Sequence, residues 1–188
     1  TSERLEIQKA AAPRLLQELL RMLQGGAAER SYKMLWHHQF LHVIAPELVA
    51  AFMHDSQIAQ RSFQLLARLD AYESDYVWSE ASLLSILYLP MCQRLTSSHD
   101  FKQHLHLTLR RLFAPFATRV GMPFKLLRKM THAIGIQLQF DRLGAKMLKQ
   151  TINKDALHLL NLRALDEPLI QEVSQQIQHA LKKQKTSQ

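Results

Sequence analysis

The sequence predicts an all-α protein: a multi-helix bundle of short antiparallel helices with a basic C-terminal helical extension. Apolar residues recur at spacings of three and four along most of the chain, which an advance of about 100° per residue gathers on one helical stripe. Only five of the 188 residues are Gly, while Leu, Gln, Lys and Ala are abundant, and these four are among the residues that enter a helix at least cost. No segment alternates β-branched and polar residues between turn clusters, as a half-buried strand would. The length suits one sizeable core, or one domain with a helical extension.

In chain order, Ser2 to Ala11 can be helical, and Pro13 restarts the pattern with Leu15, Leu16, Leu19, Met22 and Leu23 up to a stop at Gly25-Gly26. Arg14 and Glu18 stand at i, i+4 and are expected to pair as a surface salt bridge. Ala27 to Trp36 forms a second short helix, followed by the break His37-His38-Gln39-Phe40. Pro46 opens the next helix, through Met53, because its missing N–H would be unpaired in a first turn anyway. Ser56 to Leu69 repeats the amphipathic pattern with Ile58, Phe63, Leu65, Leu66 and Leu69, and Asp70 to Tyr76 is a polar break. Ser79 to Leu95 is apolar on most sides, as a central buried helix is, with a kink or break expected at Pro90.

Thr96 to Asp100 reads as a polar linker in which Ser97, Ser98 or Asp100 could cap the following helix. Phe101 to Thr118 buries Leu105, Leu109, Leu112, Phe113 and Phe116, projects Arg110 and Arg111 away, and should bend at Pro115. Met122 to Gln150 starts with Pro123 in its first turn and reaches a stop or turn at Gly144. It carries Leu127, Met130, Ile134 and Leu138 on one stripe and Lys125, Arg128, Lys129 and His132 on nearly the opposite one. Asp155 to Leu165 and Pro168 to Lys182 complete the helices before a frayed tail. The chain thereby divides into neck-like helices (1–26), a helical body (27–95) and the basic extension (96–188).

Charge is distributed unevenly. The chain carries +8 overall; residues 1–100 hold nine basic and eleven acidic side chains, and residues 101–188 hold fifteen and five. Within 101–150 there are ten basic residues and a single acid, Asp141. Nucleic acid is the commonest partner of so one-sided a patch, a plain solvated surface being the alternative. The simplest assembly is a basic surface following an RNA backbone, made by Arg110, Arg111, Lys125, Arg128, Lys129, Arg142, Lys146 and Lys149.

Other chemistries lack their residues. There is no Gly-rich phosphate loop, Cys/His metal cluster or carboxylate pair suited to two-metal catalysis. His37, His38 and His42 could share a helical turn, as could His104 and His106 less well, but neither set has a carboxylate or Cys to complete a metal site. Trp36, Trp78 and most of the eight Phe fall at core spacing. The lone Cys92 sits in an apolar helical context, which suits a buried inert thiol and a reducing compartment. With no membrane-length apolar run and no signal-peptide profile, a cytoplasmic location is expected. A Thr-Ser start suggests a piece of a longer protein.

Two passages resemble a known family. Ala12-Pro13-Arg14-Leu15-Leu16-Gln17-Glu18-Leu19-Leu20, then Gln24-Gly25-Gly26 and Ala27 to Leu35, resemble the neck-to-body passage of bacterial poly(A) polymerases and of the related CCA-adding tRNA nucleotidyltransferases. Val43-Ile44-Ala45-Pro46 stands at the family's Leu-Phe-Pro-like turn. Farther on, Met122-Pro123 opening a basic helix, Ile136-Gln137-Leu138-Gln139 with Arg142 and Gly144, and Ala156-Leu157 through Leu162-Arg163-Ala164 follow the order of the C-terminal region of poly(A) polymerases. Ala145-Lys146 stands where the family has two basic residues, and Asp166 replaces its usual Glu.

The resemblance implies an RNA-binding helical region of a template-independent polymerase that adds adenylates from ATP to RNA 3′ ends. The two Mg²⁺ ions of that reaction would be held by carboxylates of an upstream head domain whose motifs are not in these residues, so this chain alone is not expected to catalyse. Arg14 and Glu18 would support the nucleotide pocket from below. A CCA-adding enzyme is the runner-up, and a non-enzymatic helical adaptor for an acidic partner is the reading from a different class.

Overall fold

A computed structural model describes residues 2–72, 77–95, 104–144, 154–164, 170–172 and 174–176. Among these residues the secondary structure is helical throughout, as expected, with no strand. The helices are α1 (Ser2–Gln24), α2 (Ala28–His37), α3 (Phe40–Ile44), α4 (Pro46–His54), α5 (Ser56–Asp70), α6 (Glu80–Leu95), α7 (Leu105–Arg119), α8 (Phe124–Leu143) and α9 (Lys154–Ala164). The polar linker 96–100, the residues 101–103 before α7 and the C-terminal tail lie outside the described residues.

Helix α6 is the centre of the molecule. Every residue from Ala81 to Cys92 is buried, because α5, α8, α1, α4 and α9 all pack on it. Close approach to two of these neighbours is made by small hydroxyl residues. Ser62 of α5 donates to the Leu87 carbonyl of α6 at 3.1 Å, and Ser85 of α6 donates to the Ala81 carbonyl of its own helix and to Met130 O of α8 at 2.7 and 3.3 Å. One apolar core runs from Leu16 through α6 to Leu162, so packing is continuous across the point where the charge changes.

α1 runs unbroken through Pro13 where a restart was expected, and α6 and α7 continue through Pro90 and Pro115 without a break. An internal proline costs about 3 kcal/mol through a lost hydrogen bond and a ring clash. In α1 and α6 that cost is set against continuous burial on both sides of the proline, Ala12 and Leu16 in one and all of Ala81–Cys92 in the other. Pro123 falls one position earlier than expected, as an extended N-cap residue with ψ 143° before Phe124. The short α3 was not anticipated; it follows Gln39, whose φ of 63° reverses the chain.

Helix ends are secured by side chains from a distance as well as locally. The Asp70 carboxylate at the end of α5 accepts from the backbone N–H groups of Ala28 and Glu29 at 2.7 and 3.0 Å, capping α2 across 41 and more residues of sequence. Asp55 caps its own α5 by accepting from Gln57 N at 2.9 Å and also meets Arg94 of α6 at 2.7 Å. The α7–α8 turn contains Gly121 at φ 62°, where a Cβ would come within 2.8 Å of the Pro13 nitrogen. Glycine is required there both for the left-handed backbone and for the contact with α1.

Candidate nucleic-acid interface

The two faces of α8 separate as the spacing predicts. Leu126, Leu127, Met130, Ile134 and Leu138 are buried in the core, and Lys125, Arg128, Lys129 and His132 are exposed. Helix α7 packs along α8. Between the two lies an open cleft of about 490 Å³ lined by His106 and Arg110 of α7 and by Arg128, Lys129, Thr131 and His132 of α8. Among the described residues no carboxylate lines it.

The spacing explains how each helix supplies its share. His106 and Arg110 are four apart, as are Arg128 and His132, so each pair occupies one helical face. The imidazoles of His106 and His132 lie near-parallel with centroids 5.7 Å apart and planes at 25°. The His106 ring reaches its place because position 135 is glycine: a Cβ there would come within 2.8 Å of the ring's Cε1. Partial burial, then His132, then Arg110 hold the His106 imidazole below its ordinary value and favour its neutral form. The Thr131 hydroxyl donates to the Arg128 carbonyl at 3.1 Å.

Of the residues expected to form one basic surface, the structure brings Arg110, Arg128 and Lys129 into the cleft. Arg111, Lys125 and Arg142 are exposed but do not line it. Lys146 and Lys149 lie outside the described residues. His106, Thr131 and Gly135 were missed by sequence reasoning, although the i, i+4 spacing of His106 with Arg110 was a usable signal. His132 was on the expected polar stripe without a role.

Two charged residues of the basic segment are committed elsewhere. Arg119 donates through Nε to the Ile44 carbonyl at 3.0 Å and pairs through Nη2 with Glu47. Asp141, the segment's lone acid, receives a bond from the buried Arg163 of α9 and another from Gln93 of α6. The same Arg163 donates to Gln137 Oε1 at 3.0 Å, and Gln137 Nε2 donates to the Ala156 carbonyl at 2.8 Å.

The expected Arg14–Glu18 pair is absent. Glu18 instead pairs with Arg21 at 3.0 Å, three residues on, and both groups are substantially exposed. Two spacings place a partner within reach of one carboxylate, and Arg21, a turn farther along the same helix, takes it. His37, His38 and His42 are exposed at the end of α2 and in α3. Among the described residues no three His, Cys, Asp or Glu side chains converge as a metal site, and no helix is long and apolar enough to cross a membrane.

Comparison with known proteins adds one finding. Residues 2–52 match a family model described as the probable RNA and SrmB-binding site of polymerase A, so this stretch is similar to the RNA-binding region of a poly(A) polymerase. No curated protein and no solved structure matches the chain. The matched stretch and the basic cleft are different parts of the sequence, but they are joined. Arg119 ties α7 to Ile44 and Glu47, and the Gly121 turn lies against Ala12 and Pro13.

Proposed function

We propose that this chain is the RNA-binding helical region of a polymerase that adds adenylates from ATP to RNA 3′ ends, with the catalytic module and its Mg²⁺ and ATP sites supplied from outside these residues. The observation that carries the reading is the cleft of Arg110, Arg128 and Lys129, with no carboxylate among its described lining residues, on helices tied through Arg119 and Gly121 to the stretch that matches the polymerase RNA-binding model. The described residues offer the metal ions of adenylate transfer no ligand set. Their contribution to that reaction is to hold the strand.

The contacts expected from such a face are electrostatic and largely independent of sequence, since they fall on phosphates rather than base edges. Lys125, Arg111 and Arg142 extend the positive field beyond the cleft. Arg14 is exposed and unpaired with Glu18, so any support it lends to a nucleotide pocket would be direct rather than through that pair. The family description also names a protein partner, and the matched stretch exposes Met34, Phe40 and Val43, an apolar surface compatible with one.

The test is the triple substitution Lys125→Glu, Arg128→Glu and Lys129→Glu, measured by RNA binding across a salt series. Each lost phosphate contact lowers the slope of log affinity against log salt by about 0.7, so the variant should flatten it by about two and bind unrelated single strands alike more weakly. Helicity and melting should hold, because all three side chains are exposed. Unchanged affinity with an unchanged slope would remove the RNA from this face.

A further inference from the structure

We propose that the cleft between α7 and α8 is a phosphate-binding site in which His106 and His132, with Arg110, Arg128 and Lys129, hold one phosphate of an RNA strand, and that the imidazoles enter this contact protonated. The proposal deepens the RNA-binding reading and rests on it.

The geometry supplies the reason. Two near-parallel imidazoles 5.7 Å apart, sharing a cleft with two arginines and a lysine and with no carboxylate among the described lining residues, form a site of concentrated positive potential. Like charges at this distance disfavour the charged forms. A phosphate inverts that balance, because an imidazolium offers N–H donors on both ring nitrogens and its bond to an anionic oxygen is charge-assisted.

Among the described residues, the titratable and charged groups lining the cleft come from α7 and α8. Helices α6 and α9, which pack on α8, contribute Glu80, Arg94, Asp155, His158 and Arg163 to other surfaces, and none of these lines the cleft. Asp141 of α8 lies more than two turns beyond His132 and is paired with Arg163. Gly135 completes the arrangement, since a Cβ at that position would require the His106 ring to shift from its place.

The direction of the pH effect follows. Without RNA, His106 titrates below its ordinary value of 6.5; with a phosphate in place, it titrates above its RNA-free value. The added affinity is therefore complete below the RNA-free value and is lost as pH rises through the bound value. Between those two values one proton taken up per strand changes affinity about ten-fold per pH unit, and two protons more steeply.

The experiment is fluorescence anisotropy of a labelled single-stranded RNA with the full 188-residue chain, at constant ionic strength from pH 5.5 to 8. The wild type should bind about ten-fold or more tighter at pH 5.5 than at pH 8. The double variant His106→Gln and His132→Gln should lose most of that dependence and bind as the wild type does at pH 8. Gly135→Ala should reduce the dependence as well, with circular dichroism reporting that the helices persist. In parallel, proton NMR of the histidine Cε1–H signals should show His106 titrating at higher pH once RNA is added. A pH dependence retained by the double variant, or histidine titrations unmoved by RNA, would overturn the phosphate site while leaving RNA binding intact. Absence of RNA binding at every pH would overturn both.

Discussion

Replacing Asp141 with Ala strips one partner from a buried guanidinium and tests how the C-terminal helix is held. The Arg163 side chain is 1% exposed and that of Asp141 is 30% exposed. Breaking a fully buried ion pair by deleting one member costs about 3–5 kcal/mol, because the remaining charge keeps its desolvation penalty without its counter-charge. Water reaches the Asp141 side and refills part of the space, and Gln137 keeps its bond to Arg163 Nη1. The expected loss is therefore about 2–3 kcal/mol. For a chain of this size that lowers Tm by about 4–12 °C. Adding Arg163→Met removes the buried guanidinium and leaves an apolar side chain on the helix that buries Leu159, Leu160 and Leu162. The double variant should recover to within about 1 kcal/mol of wild type, a coupling of about 2 kcal/mol. The assay is urea and thermal unfolding of all four proteins of the cycle, followed by circular dichroism. Additive effects, or an Asp141→Ala variant that melts with the wild type, would refute the view that this pair carries a buried charge.

Two further expectations concern the caps. Asp70→Ala leaves the first N–H groups of α2 without their carboxylate and should cost about 1–2 kcal/mol, seen as a Tm lower by about 2–8 °C; an unchanged Tm would mean that water replaces the cap at no cost. The backbone N–H of Gln57, opposed by burial and assisted by Arg94, holds the Asp55 carboxyl below its ordinary value of 3.8. Such a group adds stability above its unfolded value that is lost as pH falls through the lower folded one. Asp55→Ala should therefore melt below wild type at pH 7, the gap closing as the pH is taken below 3.8; a gap that persists in acid would assign the loss to packing.

The family-like segments in the second half of the chain turn out to have mixed roles. Gln137, Arg163 and Asp141 form one polar network joining α8, α9 and α6, with Gln137 and Arg163 buried. The motif order Leu-Gln-Leu then Leu-Arg-Ala is thus explained in part by packing: a buried guanidinium needs acceptors, and one glutamine amide bridges it to the Ala156 backbone. Arg128, Lys129 and His132 are exposed and take no part in that network, which is why they bear on a ligand.

Periodicity alone determined most of the helices, the central burial of α6 and the two faces of α8, because an amphipathic stripe is a local property of spacing and survives any arrangement of neighbours. Net charge by position likewise marked the segment that carries the cleft. What spacing could not decide is which charges remain available. Arg119 and Asp141 look identical in sequence to their solvated neighbours, and only packing commits them to Glu47 and Arg163. Glu18 could reach either Arg14 or Arg21, and the folded helix gives it Arg21. The approach of His106 to His132 across two helices, with Gly135 clearing the space, depends on how α7 lies against α8. Contacts within one turn are written in the order of residues, whereas contacts between helices depend on a three-dimensional fit that burial of the whole core selects.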